Sequence, residues 1–244
     1  MAAEHIIKSY DEELQRLSRM IVEMGGLAES QLADATEAVV KRDSALAMRV
    51  IEGDEKVDQL ERDIDNLVIR LLALRQPMAR DLREAVAALK IGSDLERICD
   101  YAANVAKRSI ALSQTPPIQP VHSLPRMTNL ALLLVKDVID AYVDHDADKA
   151  YGVWVRDEEL DEMYASLFRI FLTYMMEDPR NIGACTHLLF IAKNIERVGD
   201  HATNIAENVY YLVHGTPLLE ARPKGDISSL QIVSPEHPPG AGTA

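Results

Sequence analysis

The chain repeats itself, and that constrains its fold more than any other feature. Leu95-Glu96-Arg97-Ile98-Cys99-Asp100-Tyr101-Ala102-Ala103-Asn104 aligns with Ile195-Glu196-Arg197-Val198-Gly199-Asp200-His201-Ala202-Thr203-Asn204 at an offset of 100 residues. Glu96, Arg97, Asp100, Ala102 and Asn104 are identical to their counterparts. Upstream, Asp54-Glu55-Lys56-Val57-Asp58 aligns with Asp157-Glu158-Glu159-Leu160-Asp161 at an offset of 103, so the second copy is three residues shorter between the blocks, near Gln76 to Met78 of the first. Two diverged copies that keep their register must each be a structural unit with its own apolar face to bury.

The period inside each copy is helical. Ile64, Leu67, Val68, Leu71 and Leu72 fall at i, i+3, i+4, i+7 and i+8, and so do Leu167, Ile170, Phe171, Tyr174 and Met175. A 3-4-3-4-3 spacing, the seam of a helical bundle, runs through Ala88, Ile91, Leu95, Ile98, Ala102 and Val105 and again through Leu188, Ile191, Ile195, Val198, Ala202 and Ile205. Breaks fall at Arg42-Asp43-Ser44 and His145-Asp146-Ala147, and at Arg75-Gln76-Pro77 and Asp178-Pro179. The expected fold is therefore all-α, two tandem homologous three-helix bundles, with helices at 5–42, 44–75, 79–113, 124–144, 147–177 and 180–213. The first bundle takes residues 1–113 and the second 124–214. Pro116, Pro117 and Pro120 mark a linker at 114–123, and the Pro- and Gly-rich stretch 215–244 reads as a disordered tail. Gly25-Gly26 inside the first helix reads as a bend.

Composition agrees and narrows the function. Only 5% of residues are aromatic, and Leu, Ala, Glu, Asp and Arg dominate the first 215 positions, which favours helix over strand. The 39 acidic against 26 basic residues leave a formal charge of -13, which repels nucleic acid and anionic lipid. No basic segment followed by an apolar stretch opens the chain, and the longest aliphatic run, Leu130 to Val135, is far below the roughly 20 residues of a membrane span. A cytoplasmic protein is expected. Its two cysteines, Cys99 and Cys185, sit in helical patterns and read as buried reduced thiols. No Gly-rich phosphate loop, HExxH or GxSxG element points to an enzyme.

The chemistry lies in paired carboxylates. Residues four apart share a helix face, so Asp54 with Asp58, Glu96 with Asp100, Asp157 with Asp161 and Glu196 with Asp200 each set two acids side by side. Each like-charged pair destabilises its helix by roughly 0.2–0.5 kcal/mol. Solvated acidic faces would have no reason to recur in register in both copies, so the repetition points to a bound cation. If the second and third helices of a unit are antiparallel neighbours, their pairs meet in an all-oxygen sphere suited to magnesium, calcium, manganese or oxidised iron. Asn104 and Asn204, one turn further on, are candidates for an amide oxygen or an outer hydrogen bond. Arg97 and Arg197 read as structural ion-pair partners, and His201 as a surface or capping residue rather than a ligand.

The stretch Asn194-Ile195-Glu196-Arg197-Val198-Gly199-Asp200-His201-Ala202-Thr203-Asn204-Ile205-Ala206-Glu207 resembles the signature of the PhoU proteins, and the resemblance runs from about residue 5 to 214. It implies two three-helix bundles whose E(D)xxxD motifs, here the four pairs, hold multinuclear iron or zinc clusters. The first unit departs from the pattern at Cys99, where the family has glycine, so either its cluster differs or the thiol turns inward. By resemblance the protein is a negative regulator of the phosphate-starvation response and of phosphate uptake. It couples the ATPase subunit of a phosphate ABC transporter to a sensor histidine kinase through contacts rather than catalysis, as a homodimer that meets the membrane only through its partners. Two other readings stand beside it: a metal-free helical adaptor and a ferritin-like di-iron protein. The latter wants Glu with His at i+3, where this chain has Cys99 and Gly199.

Overall fold

The computed structural model describes residues 2–75 and 77–220. They form six long helices: α1 (Ala2–Lys41), α2 (Ser44–Arg75), α3 (Arg80–Ser113), α4 (Leu124–Asp144), α5 (Ala147–Glu177) and α6 (Ile182–His214). Short 3₁₀ turns at Gln119–Ser123 and Pro179–Asn181 precede α4 and α6, and no strand occurs among the described residues. The boundaries lie within three residues of those expected. The largest shift that is not at a terminus is the start of α6, because Pro179 opens a 3₁₀ turn capped by the Asp178 carboxylate before the α-helix begins.

Both copies make their first break in the same way. Arg42 and His145, at matching positions, take positive φ of 59° and 50° and stop the helix before them. The next residue is an aspartate that caps the following helix: Asp43 Oδ1 accepts from the Ala45 and Leu46 amides at 2.9 Å, and Asp146 Oδ1 from the Lys149 amide at 2.9 Å. In the first copy the Arg42 guanidinium also donates to the carbonyls of Ser113 and Thr115, tying the start of the Pro-rich segment to the α1–α2 corner. Further along that segment, Pro120 is buried.

All twelve residues of the two expected seams are fully buried. The α2 stripe is buried or partly so, but on α5 Ile170 is 39% exposed; the buried stripe there runs through Leu160, Tyr164, Leu167 and Phe171 instead. The cores of the two units are continuous. α3 and α6 join them as antiparallel neighbours: Arg83 reaches the Leu212 carbonyl at 3.3 Å, Asp94 meets His201 at 2.7 Å, and the Arg108 guanidinium lies 4.1 Å from the centre of the Phe190 ring. α1 and α4 form a second seam. Gly25 sits in this seam within an unbroken helix; a Cβ there would come within 2.9 Å of Ile139 Cγ1, so the glycine serves close helix approach.

The buried hydroxyls of Thr36 and Thr128 meet across the same seam at 3.0 Å, while each also lies near its own i−4 carbonyl. Two hydroxyl protons cannot serve three contacts at once: when one hydroxyl donates to the other, only the accepting one still donates to its own carbonyl. Thr128→Val should cost about 1 kcal/mol by removing the shared bond, and adding Thr36→Val should cost little more, because the Thr36 hydroxyl is then left only with its own i−4 carbonyl, a contact of little net worth in a helix. Urea unfolding of the two single variants and the double variant checks this: additive losses would show that the pair is uncoupled.

Residues 215–220, expected to begin a disordered tail, lie against the body. Gly215 closes α6 at φ 73°, Leu218 packs on the core and Glu220 accepts from Tyr151 Oη at 2.9 Å. The remainder of that stretch lies outside the described residues. Among the described residues, no helix is long and apolar enough to cross a membrane.

Candidate functional site

α2 lies beside α3, and α5 beside α6, which brings the carboxylate pairs of each unit to one interface. In the first unit, burial raises the Asp54 carboxyl above its ordinary range, and the charges of Asp100 and Asp58 raise it further. Glu96 is pushed up to about 7 by burial and by Asp100, with Arg97 opposing and Glu61 and Asp58 adding to the rise. Asp58 and Asp100 thus act on both Asp54 and Glu96, as two antiparallel i, i+4 pairs facing one another should. Cys99 is fully buried behind them; desolvation and then the four carboxylates push its thiol up, so it remains a neutral thiol turned inward.

The second unit is drier. Asp157, Asp161 and Glu196 are buried, and Asp200 is partly exposed. For Asp157 the difference traces to one residue. Where Cys99 stands in the first unit the second has Gly199, and a Cβ built on it would fall 2.3 Å from Asp157 Oδ1 and 2.5 Å from Leu160 Cδ2. The bare backbone of α6 therefore makes the space that Asp157 fills, whereas its counterpart Asp54 is only partly covered. Burial pushes Glu196 up to about 7, opposed by Lys193 and reinforced by Asp200 and Asp161. Glu196 Oε1 accepts from Lys193 Nζ at 2.7 Å, while the buried Oε2 has no hydrogen-bond partner.

Other expected residues are engaged elsewhere. Arg97 spans its own pair, with Nη1 3.0 Å from Asp100 Oδ2 and Nε 3.6 Å from Glu96 Oε2. Arg197 instead lies over the Tyr101 ring of the other unit, 5.8 Å from its centre. Asn204 donates to Asp94 Oδ1 at 3.2 Å, and His201 meets both Asp94 and Tyr101 Oη, the latter at 3.3 Å. Arg197, Asn204 and His201 thus join the units rather than the acids. The reason is helical phase: each i+4 step turns about 40°, so by Asn204 the face has rotated away from Glu196 toward α3. Asn104 is exposed.

Sequence reasoning overlooked four residues. Glu61 follows Asp58 by three and is held near Ser93, whose hydroxyl it accepts from; Tyr164 follows Asp161 by three and lies under Lys193, whose ammonium is 4.8 Å from its ring centre. All four lie at i±3 of a paired acid, so the same periodicity that found the pairs contained them.

The donors are oxygens suited to a hard cation, and Glu196 Oε2 is a buried acceptor with nothing to accept from, so the residues fit such an ion chemically. Among the described residues, though, no three His, Cys, Asp or Glu side chains already stand close enough together to hold one.

The chain matches the PhoU domain model twice, over residues 21–109 and 124–209. It is 53% identical to the phosphate-specific transport system accessory protein PhoU homolog of Caulobacter vibrioides (strain NA1000 / CB15N), across 93% of this chain and 99% of that protein. Its fold superposes on the crystal structure of PhoU from Pseudomonas aeruginosa with a TM-score of 0.81 at 40% identity, covering 85% of this chain and all of the other. The crystal structure of the phosphate transport system regulatory protein PhoU from Streptococcus pneumoniae gives 0.80 at 30% identity, over 86% and 99%.

Proposed function

The chain belongs to the PhoU family, and on that premise we propose that it is a cytoplasmic, non-enzymatic negative regulator of phosphate uptake and of the phosphate-starvation response. It acts by docking, with one surface on the ATPase subunit of a phosphate ABC transporter and another on a sensor histidine kinase held in its inhibitory mode. The observation that carries this reading is the near-complete overlap with a relative named as an accessory protein of phosphate-specific transport. A likeness confined to one bundle would not carry it. The fold is consistent with action through contact: six helices present long side-chain ladders to solvent, the surfaces on which helical proteins bind partners.

The carboxylate clusters complete the proposal. Asp54, Asp58, Glu96 and Asp100 in the first unit, and Asp157, Asp161, Glu196 and Asp200 in the second, would hold iron, zinc, manganese or magnesium. The bound ion supplies positive charge to acids that burial otherwise holds above their ordinary range. Its part is to clamp α2 to α3 and α5 to α6.

The deciding experiment measures a phosphate-starvation reporter in phosphate-rich medium, in cells with and without the protein. We expect the reporter to be silent with the protein and strongly induced without it. Silence in both strains would overturn the regulatory reading.

A further inference from the structure

The two clusters are duplicates in their paired acids but not in what surrounds them. Where the first unit has Glu61 and Ser93, the second has Tyr164 and Lys193. The Lys193 ammonium sits 2.7 Å from Glu196 Oε1 and 4.8 Å from the centre of the Tyr164 ring, with its side chain 33% exposed against 5% for Glu196. A buried carboxylate on one side and an aromatic face on the other hold an ammonium in place of the water it gives up. In the first unit no lysine takes that position. A fifth carboxylate, Glu61, joins the four there, and the cations beside them stay at the surface: Arg97 and Arg62, the latter 3.9 Å from Asp58, each keep 55% of the side chain exposed, and Lys107, whose charge reaches Asp54, is exposed too. One cluster thus has five acids with only solvated cations at its rim; the other has four acids with an ammonium inside it.

We infer that Lys193 is the second unit's built-in cation, standing where an external ion would otherwise neutralise Glu196, so that the two duplicated clusters are unequal cation sites. The first is open to a divalent metal. The second is neutralised from within the chain and takes a metal only when Lys193 swings out, which its long, flexible stem allows. That the second cluster has capacity left is shown by Glu196 Oε2, buried and with no hydrogen-bond partner although its twin oxygen is bonded to Lys193. The inference rests on the proposal that the clusters bind metal and adds an order to it: first unit before second, with one side chain setting the gap.

The test uses the full chain, stripped with chelator and titrated calorimetrically with Mn²⁺. Four proteins are compared: wild type, K193S, an E96Q/D100N variant that disables the first cluster, and E96Q/D100N/K193S. K193S installs the first unit's residue at the second unit's position. Between the last two proteins we expect Mn²⁺ to bind about tenfold more tightly once the competing ammonium is gone. Metal-free K193S should also melt below wild type, because Glu196 loses its counter-charge, and Mn²⁺ should restore the loss. Equal Mn²⁺ affinity in the two disabled proteins would overturn the inference, as would a melting loss that Mn²⁺ does not restore. Absence of Mn²⁺ binding in all four would sink it together with the metal sites, while the phosphate reporter would still judge the regulatory reading separately.

Discussion

Gly199→Val should lower the unfolding free energy by about 3 kcal/mol and the melting temperature by roughly 8 °C. Glycine in the middle of a helix normally costs about 1 kcal/mol relative to alanine, so its presence in α6 needs a reason, and the reason is the Asp157 carboxylate 2.3 Å from where a Cβ would lie. Valine would push that carboxylate, and the fully buried Leu160 beside it, out of their places in a packed interface. Gly199→Ala should cost less, since its better helix propensity offsets part of the displacement. Gly199→Cys, which copies the first unit, should uncover Asp157 to the degree seen at Asp54. Thermal unfolding of the three variants checks the order. A valine variant as stable as wild type would mean that α5 and α6 are not held at this distance.

Without metal, the protein should lose stability as the pH rises from about 5 to 8, and Glu196→Gln should remove a large part of that loss. Glu196 titrates near its ordinary value of 4.5 when unfolded and at about 7 when folded. Between those values the folded chain binds the proton and the unfolded chain does not. Its contribution to stability is therefore complete below 4.5 and lost as the pH passes through 7. Burial causes the shift, Lys193 opposes it and the neighbouring acids add to it. The loss for this one group is roughly 2–3 kcal/mol. Glutamine cannot ionise but can still accept from Lys193, so Glu196→Gln should match wild type near pH 5 and exceed it by about 2 kcal/mol at pH 8. Urea unfolding at both pH values in chelator measures it; parallel pH profiles would show that Glu196 is not the group responsible. Glu96, also raised to about 7, adds to the wild-type slope in the same direction.

Much of this was legible before any coordinates. The duplication required two equivalent units, and matched breaks at Arg42-Asp43 and His145-Asp146 required equivalent corners. The acid pairs followed from four-residue spacing alone. Each of these is a relation within one helix or between two copies of one helix, and helical geometry converts it directly into space. Where spacing alone misleads, the deciding contact is between helices. Ile170 satisfies the α5 period as well as its neighbours do, yet the buried stripe of α5 runs through Tyr164 and Phe171 and leaves Ile170 39% exposed. Asn204 continues the acidic face by spacing, yet faces Asp94 of the other unit.

By itself, the sequence determined that the chain is helical, that it is built twice from one plan, where each helix starts and stops to within three residues, and which eight carboxylates stand in pairs. The 3.6-residue turn and the capping chemistry of a few residues decide all of these locally. Only the tertiary structure decided that α3 and α6 run antiparallel as the joint between the units, that Gly199 lets Asp157 sink where Cys99 leaves Asp54 half covered, and that Lys193 enters one cluster and not its twin. Those outcomes depend on distances between helix axes and on which side chains fill the gap. Such quantities arise from packing residues far apart in the chain, and no spacing along it encodes them.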